Sequence, residues 1–466
     1  MTGDVLDLTL CEAHAALKKG QLDTVELTSA AIARARQVGE KTNAFLQIRS
    51  EPALQQAEKQ RHERPEHVLQ GIPLAHKDCL AHEGETMTVG ARRPRPADTM
   101  TATVIARINA HKAIEIGRLH LSEIIAGPSG NNVHFGDCLN AWNTDYISGG
   151  SSSGSAVAVA SGSVFAALGT DTGGSVRIPA AVNGLFGLKP SFGRVSRYGA
   201  FPRSVSSDVI GPLARTAQDC AVMLQAIAGP DPGDSDTLGI AVPNYVTALE
   251  TAANHTRLGL FRPSDPIDDE VMACFEKTVQ MASRQWGGVV DRQFDDWGAL
   301  YALGDMLSKV EAAQVHAATM ASAPESHSKA IYTRTEPGLH LPAIRYMETL
   351  QLRPIMLQRF IDQAFADVDV LLLPTLPMPT PRIEDMDMEA GGNVHSLVPR
   401  LTCLTRPFSF LGLPALSMPM GLDARGLPMG VQLIGRPYSE ARLLAIAHKL
   451  SMDVGWSFRP SELARV

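Results

Sequence analysis

The sequence contains few cysteines, and they are scattered without paired spacing. They number six, at Cys11, Cys79, Cys138, Cys220, Cys274 and Cys403. This spacing is typical neither of a disulfide framework nor of a structural zinc site. We therefore expect reduced thiols, a cytoplasmic location and no bound metal.

Long apolar runs and dense basic blocks are also missing. No stretch of about 18 uninterrupted apolar residues is present to span a bilayer. The acidic N-terminus lacks the pattern of a secretory signal. A formal net charge of −7 and a pI near 6.1 argue against a nucleic-acid surface or an anionic membrane as partner. At 466 residues and 44% hydrophobic composition, the chain can bury a large core.

The most distinctive stretch runs from Ser148 to Arg177. It begins with eight consecutive glycines or serines, continues as an Ala/Val run and closes on Gly173-Gly174-Ser175. Gly/Ser tracts are commonly flexible linkers. Here, however, the tract leads directly into apolar sequence and follows Trp142 and Tyr146. Glycines between packed elements mark backbone that needs positive φ or close approach, so the stretch predicts a site that presents serine hydroxyls.

Strand and helix patterns alternate from residue 71 onward. Residues 71–78 are apolar and end in charge, which predicts a buried strand with Lys77 at its end. Residues 103–113 predict an amphipathic helix, and residues 113–118 predict another strand. This alternation indicates an α/β fold, in which helices cover both faces of a central, mixed, twisted β-sheet.

We predict one domain over residues 1–466. Its expected parts are N-terminal helices at 8–64, a core at about 65–230 and 366–466, and a variable, mostly helical, substrate-side region at about 237–365. Thr9 and Thr24 are predicted to cap helices, because an acidic residue follows each of them within one turn. Residues 408–421 are predicted as a late strand of the sheet.

A serine nucleophile needs a base, and the sequence offers two arrangements. Residues 150–154 match the G-x-S-x-G nucleophile elbow with Ser152 at its centre. That motif requires a preceding buried strand, and residues 143–148 are too polar to form one. A buried, neutral lysine is the other kind of base, and Lys77 is suitably placed. The turn from Thr172 to Ser175 would supply backbone N–H groups for an oxyanion hole.

Four motifs in this order resemble the amidase signature family of serine hydrolases. They are GIPLAHKD at 71–78, GGSSSGSA at 149–156, GTDTGGSVRIP at 169–179 and GLFGLKP at 184–190. The resemblance implies that Ser175 is the acylated nucleophile and that Lys77 is the base. It implies that Ser151, after a cis peptide bond, bridges the two. The expected oxyanion hole comprises the N–H groups of Thr172, Gly173, Gly174 and Ser175, and no cofactor is implied.

Residues beyond this triad are predicted to support the turn or to line the substrate pocket. Asp171 and Arg177 are expected to form a buried pair that braces the turn. Ser152 is expected to support the site by hydrogen bonding or to line the pocket. The other predicted pocket residues are Gly127, Pro128 and Ser129, and, from the middle of the chain, Lys309, Glu311, Gln314, His316, His340 and Arg345.

The implied activity is cleavage of a C–N bond in a small amide, urea or carbamate through an acyl-enzyme. Residues 308–317 resemble the corresponding segment of stand-alone bacterial amidases. We therefore expect a small-molecule substrate as the partner of this chain, with a homodimer as an alternative to a monomer. The glutaminase subunit of a tRNA-dependent amidotransferase complex is the other candidate, although its Asn-Leu-Ala-Arg-Phe-Asp-Gly segment has no counterpart here. Malonamide-type relatives hold a carboxylate with an arginine three residues after the nucleophile, where this chain has Ile178.

Overall fold

The computed structural model describes residues 4–93, 95–386, 393–454 and 460, and its strands form one sheet. The strands in chain order are β1 Phe45–Ile48, β2 Pro73–Lys77, β3 Ile114–Leu119, β4 Ala166–Asp171, β5 Phe186–Lys189, β6 Val209–Ala214, β7 Leu258–Phe261, β8 Val289–Arg292, β9 Val370–Pro374, β10 Ala415–Leu422 and β11 Pro428–Gly435. Across the sheet they follow the order β1-β3-β2-β4-β6-β5-β10-β11-β9-β7-β8.

The sheet is mixed, as predicted. Strand β2 runs parallel to both β3 and β4, and β7 runs parallel to β8 and β9. The remaining pairs are antiparallel, including β4 with β6 and β10 with β11. Because β2 and β4 are parallel neighbours, their carboxyl ends meet at one edge of the sheet. That edge brings Lys77 close to the segment that follows Asp171.

Helices connect the strands and cover them. They are α1 Leu10–Lys18, α2 Thr24–Thr42, α3 Ser50–Gln60, α4 Thr103–Ala110, α5 Ser153–Ala160, α6 Arg177–Val182, α7 Ala217–Ile227, α8 Tyr245–Ala248, α9 Asp269–Trp286, α10 Trp297–Ser322, α11 Lys329–Thr335, α12 Ala343–Phe360, α13 Val394–Thr402, α14 Arg406–Phe410 and α15 Glu440–Val454.

Both faces of the sheet are buried, which β9 illustrates. Its alternate residues Val370 and Leu372 join the larger hydrophobic core, whereas Leu371 and Leu373 join a second core on the opposite face. Side chains alternate between faces along a strand, so a strand covered on both sides is apolar throughout. The predicted α/β architecture is therefore confirmed.

The N-terminal helical prediction needs a correction. Two helices are present in its first part, since α1 ends at Lys18 and α2 begins at Thr24, and the correction concerns the second cap. The Thr9 cap is confirmed, since Thr9 and Glu12 form a reciprocal capping box. Thr24 is not the second cap. Asp23 fills that position, and its carboxylate accepts hydrogen bonds from the N–H groups of Val25 and Glu26.

The strand predicted at 408–421 is wrong in its first part. Residues Arg406–Phe410 form the short helix α14, and β10 begins only at Ala415. Pro407 lies in the first turn of α14, where a missing N–H does no harm, and Gly412 follows the helix with a φ of 70°. Two strands also lie outside the ranges predicted as sheet, β1 in the N-terminal region and β8 in the middle region, whereas residues 257–261 are predicted as a strand and contain β7.

Candidate active site

Lys77 ends β2 with its ammonium group among three hydroxyls. Its Nζ lies 2.7 Å from Ser151 Oγ, 2.8 Å from Thr170 Oγ1 and 3.1 Å from Ser152 Oγ. The side chain is 1% exposed. Burial favours the neutral amine and lowers the pKa of Lys77 to about 8. At neutral pH or slightly above, an appreciable fraction of this lysine is therefore able to accept a proton.

Two other buried basic groups lie near the sheet edge, and neither contacts a serine hydroxyl. Burial lowers the pKa of Lys189 to about 7, but its Nζ donates to the carbonyl oxygen of Pro190. His76, next to Lys77 in sequence, accepts a hydrogen bond from the N–H of Leu168 in the neighbouring strand. Burial also lowers the pKa of His76 to about 4. Of these three groups, Lys77 is the one that contacts the hydroxyl of Ser151.

The backbones of Ser151 and Ser175 lie side by side. The N–H of Ser152 donates to the carbonyl oxygen of Ser175 at 3.3 Å, which joins the two glycine-rich segments directly after Ser151. The Gly150–Ser151 peptide bond is cis, as the resemblance implies. Ser151 is fully buried, whereas Ser175 is partly exposed and lines a cavity. A substrate can therefore reach Ser175 but not Ser151.

The Asp171 carboxylate organises the turn that carries Ser175. It accepts hydrogen bonds from the N–H groups of Gly174 and Val176 at 2.8 and 3.2 Å. Arg177 donates to the same carboxylate through Nε and Nη2, both at 3.0 Å. Burial alone would raise the pKa of Asp171, but the Arg177 guanidinium outweighs burial and holds this pKa near 2. The ion pair braces the turn from beneath, as the sequence predicts.

Replacement of Arg177 by methionine is expected to destabilise the fold. Both members of the pair are 0% exposed, so the variant would leave a buried carboxylate without its counter-ion. Breaking such a pair costs about 3–5 kcal/mol of unfolding free energy. Urea unfolding measures this loss. The double variant Asp171→Asn/Arg177→Met should lose less than Arg177→Met alone, and a larger loss would contradict this account.

The turn leaves fewer N–H groups free than the predicted oxyanion hole contains. The prediction is wrong for Gly174, because its N–H is already donated to Asp171. In the described part of the chain, the N–H groups of Thr172, Gly173 and Ser175 have no acceptor, and all three residues line the cavity. Thr405 Oγ1 donates to the carbonyl oxygen of Gly173 at 2.6 Å and so fixes that peptide.

Gly174 is required for the shape of the turn. Its φ is +132°, a conformation that residues with a side chain rarely adopt. A Cβ at this position would lie 2.4 Å from Thr405 Oγ1 and 2.7 Å from Ile178 Cδ1. The glycine therefore allows the backbone to pack directly against Thr405.

The cavity in front of Ser175 is narrow. Its volume is about 40 Å³, and its walls include Gly127, Pro128, Thr172 and Gly173. It adjoins a chamber of about 230 Å³, with which it shares four lining residues, Arg203, Ser308, Arg334 and Arg406. A larger, mostly apolar cavity of about 600 Å³ reaches Thr170 but contacts none of the three triad residues. We therefore place the substrate in the two smaller, adjoining cavities.

Two predicted pocket residues lie elsewhere. Ser152 is fully buried, and its hydroxyl contacts Lys77 and the backbone of Thr170. Ser129 is 5% exposed, and its hydroxyl accepts from the N–H of Asn131. Neither residue lines the cavity of Ser175, and both hydroxyls already have partners within the protein.

The candidates from the middle of the chain separate into three groups. Lys309 lines the 230 Å³ chamber, and Glu311 lines the larger apolar cavity, where it accepts from Ser204 and Tyr346. His316 is buried against His327. The remaining three, Gln314, His340 and Arg345, are exposed and line neither of the cavities near Ser175.

Sequence reasoning missed Thr170 and three arginines, Arg203, Arg334 and Arg406. Thr170 contacts the base, and the arginines line the cavity of Ser175. Each arginine comes from a different part of the chain and stands in no motif, so local sequence carried no signal for them. Among the described residues, no cluster of His, Cys, Asp and Glu has an arrangement that could hold a metal ion. None of their helices is long and apolar enough to cross a membrane.

Comparison with known proteins identifies the family. The family model described as Amidase matches residues 26–444, which include Lys77, Ser151 and Ser175. The chain belongs to the amidase signature family. It is therefore a member of a family of hydrolases that act on C–N bonds.

The curated relatives of this amidase-family protein include components of a larger enzyme. It is 33% identical to a Glutamyl-tRNA(Gln) amidotransferase subunit of Geotalea daltonii, over 99% of this chain and 100% of that protein. It is also 33% identical to the corresponding Glutamyl-tRNA(Gln) amidotransferase subunit of Pseudomonas aeruginosa, over 97% and 98% of the two chains.

Its structural neighbours include amidases. One is a crystal structure of an amidase, with a TM-score of 0.84, 30% identity and coverage of 96% and 100% of the two chains. Another is the peptide amidase of Stenotrophomonas maltophilia, with a TM-score of 0.80, 26% identity and coverage of 97% and 98%. A structure described with an s-triazine catabolic enzyme and a vestigial protein complex has a TM-score of 0.89, 29% identity and coverage of 96% and 99%.

Proposed function

We propose that this amidase-family protein hydrolyses a small amide, or a related urea or carbamate, through an acyl-enzyme on Ser175. The observation that carries the proposal is the buried contact of 2.7 Å between Lys77 Nζ and Ser151 Oγ, in a segment whose backbone is hydrogen-bonded to Ser175. A serine hydroxyl is a weak nucleophile unless a neighbouring base removes its proton. Lys77, with its lowered pKa, supplies that base.

The hydroxyls around Lys77 favour the direction of proton transfer. Ser152 Oγ donates to the carbonyl oxygen of Thr170 at 3.2 Å, so Ser152 Oγ is left to accept a hydrogen bond from Lys77. Thr170 Oγ1 lies close enough to accept a second hydrogen bond from Lys77. A neutral amine has two N–H groups and one lone pair. When the N–H groups serve Ser152 and Thr170, the lone pair faces the hydroxyl of Ser151.

The reaction then follows the course of acyl transfer. Lys77 takes the proton of Ser151, and Ser151 takes the proton of Ser175. At the same time, Ser175 Oγ attacks the carbonyl carbon of the substrate. The N–H groups of Gly173 and Ser175 stabilise the resulting oxyanion. The proton returns along the relay to the leaving nitrogen, the C–N bond breaks, and water hydrolyses the ester on Ser175.

The curated relatives favour a second candidate, the glutaminase subunit of a tRNA-dependent amidotransferase. Full-length identity of 33% to such subunits supports this alternative. The missing Asn-Leu-Ala-Arg-Phe-Asp-Gly segment supports the stand-alone amidase. The two candidates differ in one requirement, since the glutaminase needs partner chains and an autonomous amidase does not. A homodimer and a cytoplasmic location stay predictions, and the six thiols are free in the structure.

Treatment of the purified chain with a fluorophosphonate probe tests the proposal. We expect one covalent adduct per chain on Ser175, because the relay that activates this serine lies wholly within the chain. Intact mass and peptide mapping measure the adduct, and release of ammonia or amine from a panel of aliphatic amides, anilides, ureas and carbamates measures turnover. No adduct and no turnover without partner chains would favour the amidotransferase glutaminase.

A further inference from the structure

Three arginines surround the cavity in front of Ser175. Arg203 lies in the loop before β6, Arg334 lies in α11, and Arg406 begins α14. All three line both the narrow cavity and the adjoining chamber. Lys309 adds a fourth cation to the chamber, and among the lining residues that the structure describes the only carboxylate is that of Asp305.

The carboxylate of Asp305 already has two cationic partners within the protein. Asp305 Oδ1 lies 3.1 Å from Arg406 Nη1, and its Oδ2 lies 2.6 Å from Lys309 Nζ. The guanidinium groups of Arg203 and Arg334 form no hydrogen bond or ion pair with any residue that the structure describes. Buried nitrogen atoms without an acceptor include Nη1 of Arg203 and Nε of Arg406. By contrast, the buried Arg177 has acceptors on Asp171, Ser409 and Gln432.

Unpaired cations in a confined space are unfavourable. Burial and repulsion from neighbouring arginines lower the pKa of Arg203 to about 9 and that of Arg334 to about 10. Guanidinium groups nevertheless stay protonated at neutral pH. Charges removed from water are normally paired. Arg203 and Arg334 have no carboxylate partner among the described residues, so a ligand anion would complete the arrangement.

We infer that Arg203, Arg334 and Arg406 bind a carboxylate carried by the substrate, so that the substrate class is a small amide with an anionic end. This inference rests on the proposed function, since it names the substrate of that same site. The planar, forked guanidinium matches the two oxygens of a carboxylate. No arginine is needed at the position of Ile178, because the cations come from other elements.

The geometry also limits the length of that substrate. Arg406 lies directly over the turn, since a Cβ built on Gly173 would be 3.7 Å from Arg406 Cζ. The N–H of Gly173 is one of the three in this turn that have no acceptor among the described residues. The carboxylate is therefore held close to the scissile carbonyl, and the chamber of about 230 Å³ leaves room only for a short chain between them.

Matched substrates test the inference. Malonamate and malonamide, and likewise succinamate and succinamide, have the same chain length, but only the first of each pair carries a carboxylate. We expect kcat/KM for ammonia release to be at least about 100-fold higher for the carboxylate member. In Arg334→Gln and Arg203→Gln this preference should fall to about tenfold or less. Arg334→Lys should keep part of the preference for the carboxylate substrate, because the positive charge remains.

The controls separate binding from folding. Arg284→Gln removes an exposed arginine of α9 and should leave the substrate preference unchanged. Thermal melting should show no loss of stability in Arg334→Gln, since that guanidinium has no protein partner to lose. Equal turnover of the acid and the diamide by the wild-type protein would overturn the inference and leave the proposed function intact. Stronger protection of Ser175 from the fluorophosphonate by phosphate than by malonate or succinate would overturn the carboxylate assignment.

If the protein hydrolyses none of these amides, isothermal titration calorimetry tests the anion site directly. Titration of malonate and succinate into the Ser175→Ala variant measures anion binding without chemistry. Binding that disappears in Ser175→Ala/Arg334→Gln would support the anion site even though the proposed function had failed. Absence of binding at millimolar concentrations would overturn the site.

Discussion

Ser175→Ala is expected to lower kcat for amide hydrolysis by about 10⁴-fold or more, because the variant has no atom on which the acyl-enzyme can form. The side chain is small and lies at a cavity wall, so the fold should persist. Any residual rate would come from binding and from the free N–H groups of the turn. Initial rates of ammonia or amine release, with a melting curve for each protein, measure the effect.

Ser153→Ala provides the matched control for Ser175→Ala. Ser153 lies two residues after Ser151 and is equally buried, but its hydroxyl contacts His120 instead of Lys77. This variant should keep activity within about tenfold of the wild type, and it should still be labelled by the fluorophosphonate. If Ser175→Ala retained as much activity as Ser153→Ala, Ser175 would not be the nucleophile.

The second large effect concerns Lys77 and its dependence on pH. The protonated amine cannot take a proton from Ser151, so the active fraction rises as pH increases through the pKa of Lys77 near 8. We expect kcat/KM to rise about tenfold per pH unit below that value and to level off above it. Lys77→Met should lower kcat/KM by roughly 10²–10⁴-fold, the usual contribution of a general base.

Lys77→Arg distinguishes the base from a positive charge that only holds the serines in place. Arginine keeps the charge and can donate to Ser151, but it does not lose its proton in proteins. The variant should be as inactive as Lys77→Met at every pH. A wild-type profile that is flat from pH 6 to 9, measured on the acylation step, would exclude Lys77 as the base.

Local sequence was sufficient for much of the fold and for the position of Lys77. An apolar run that ends in charge predicted a buried strand with Lys77 at its end, and the strand ends there. The Gly/Ser tract predicted tight backbone turns, and positive φ values occur at Gly149 and Gly174. These features depend on neighbours within a few residues, so the sequence pattern contains them.

Predictions from local sequence were wrong where a backbone N–H group could serve either an oxyanion or a side chain of the protein. The sequence shows that the turn from Thr172 to Ser175 can offer successive N–H groups, but not which of them Asp171 takes. The prediction of a strand from residue 408 was also wrong, because local sequence left two structures open. An apolar segment of this length suits a strand or a buried helix, and packing decides between them.

By itself the sequence determined the α/β class and the order of the motifs, because periodicity and glycine placement act over short distances. The three residues of the proposed relay came from the resemblance that those motifs carry. Only the tertiary structure decided which N–H groups stay free, that Ser152 serves Lys77 instead of the pocket, and that three arginines meet at Ser175. Those arginines lie up to about 200 residues apart in a chain of 466, and their proximity follows from strand order and helix packing. Charge in the cavity, and with it the choice of substrate, is therefore a property of the assembled fold.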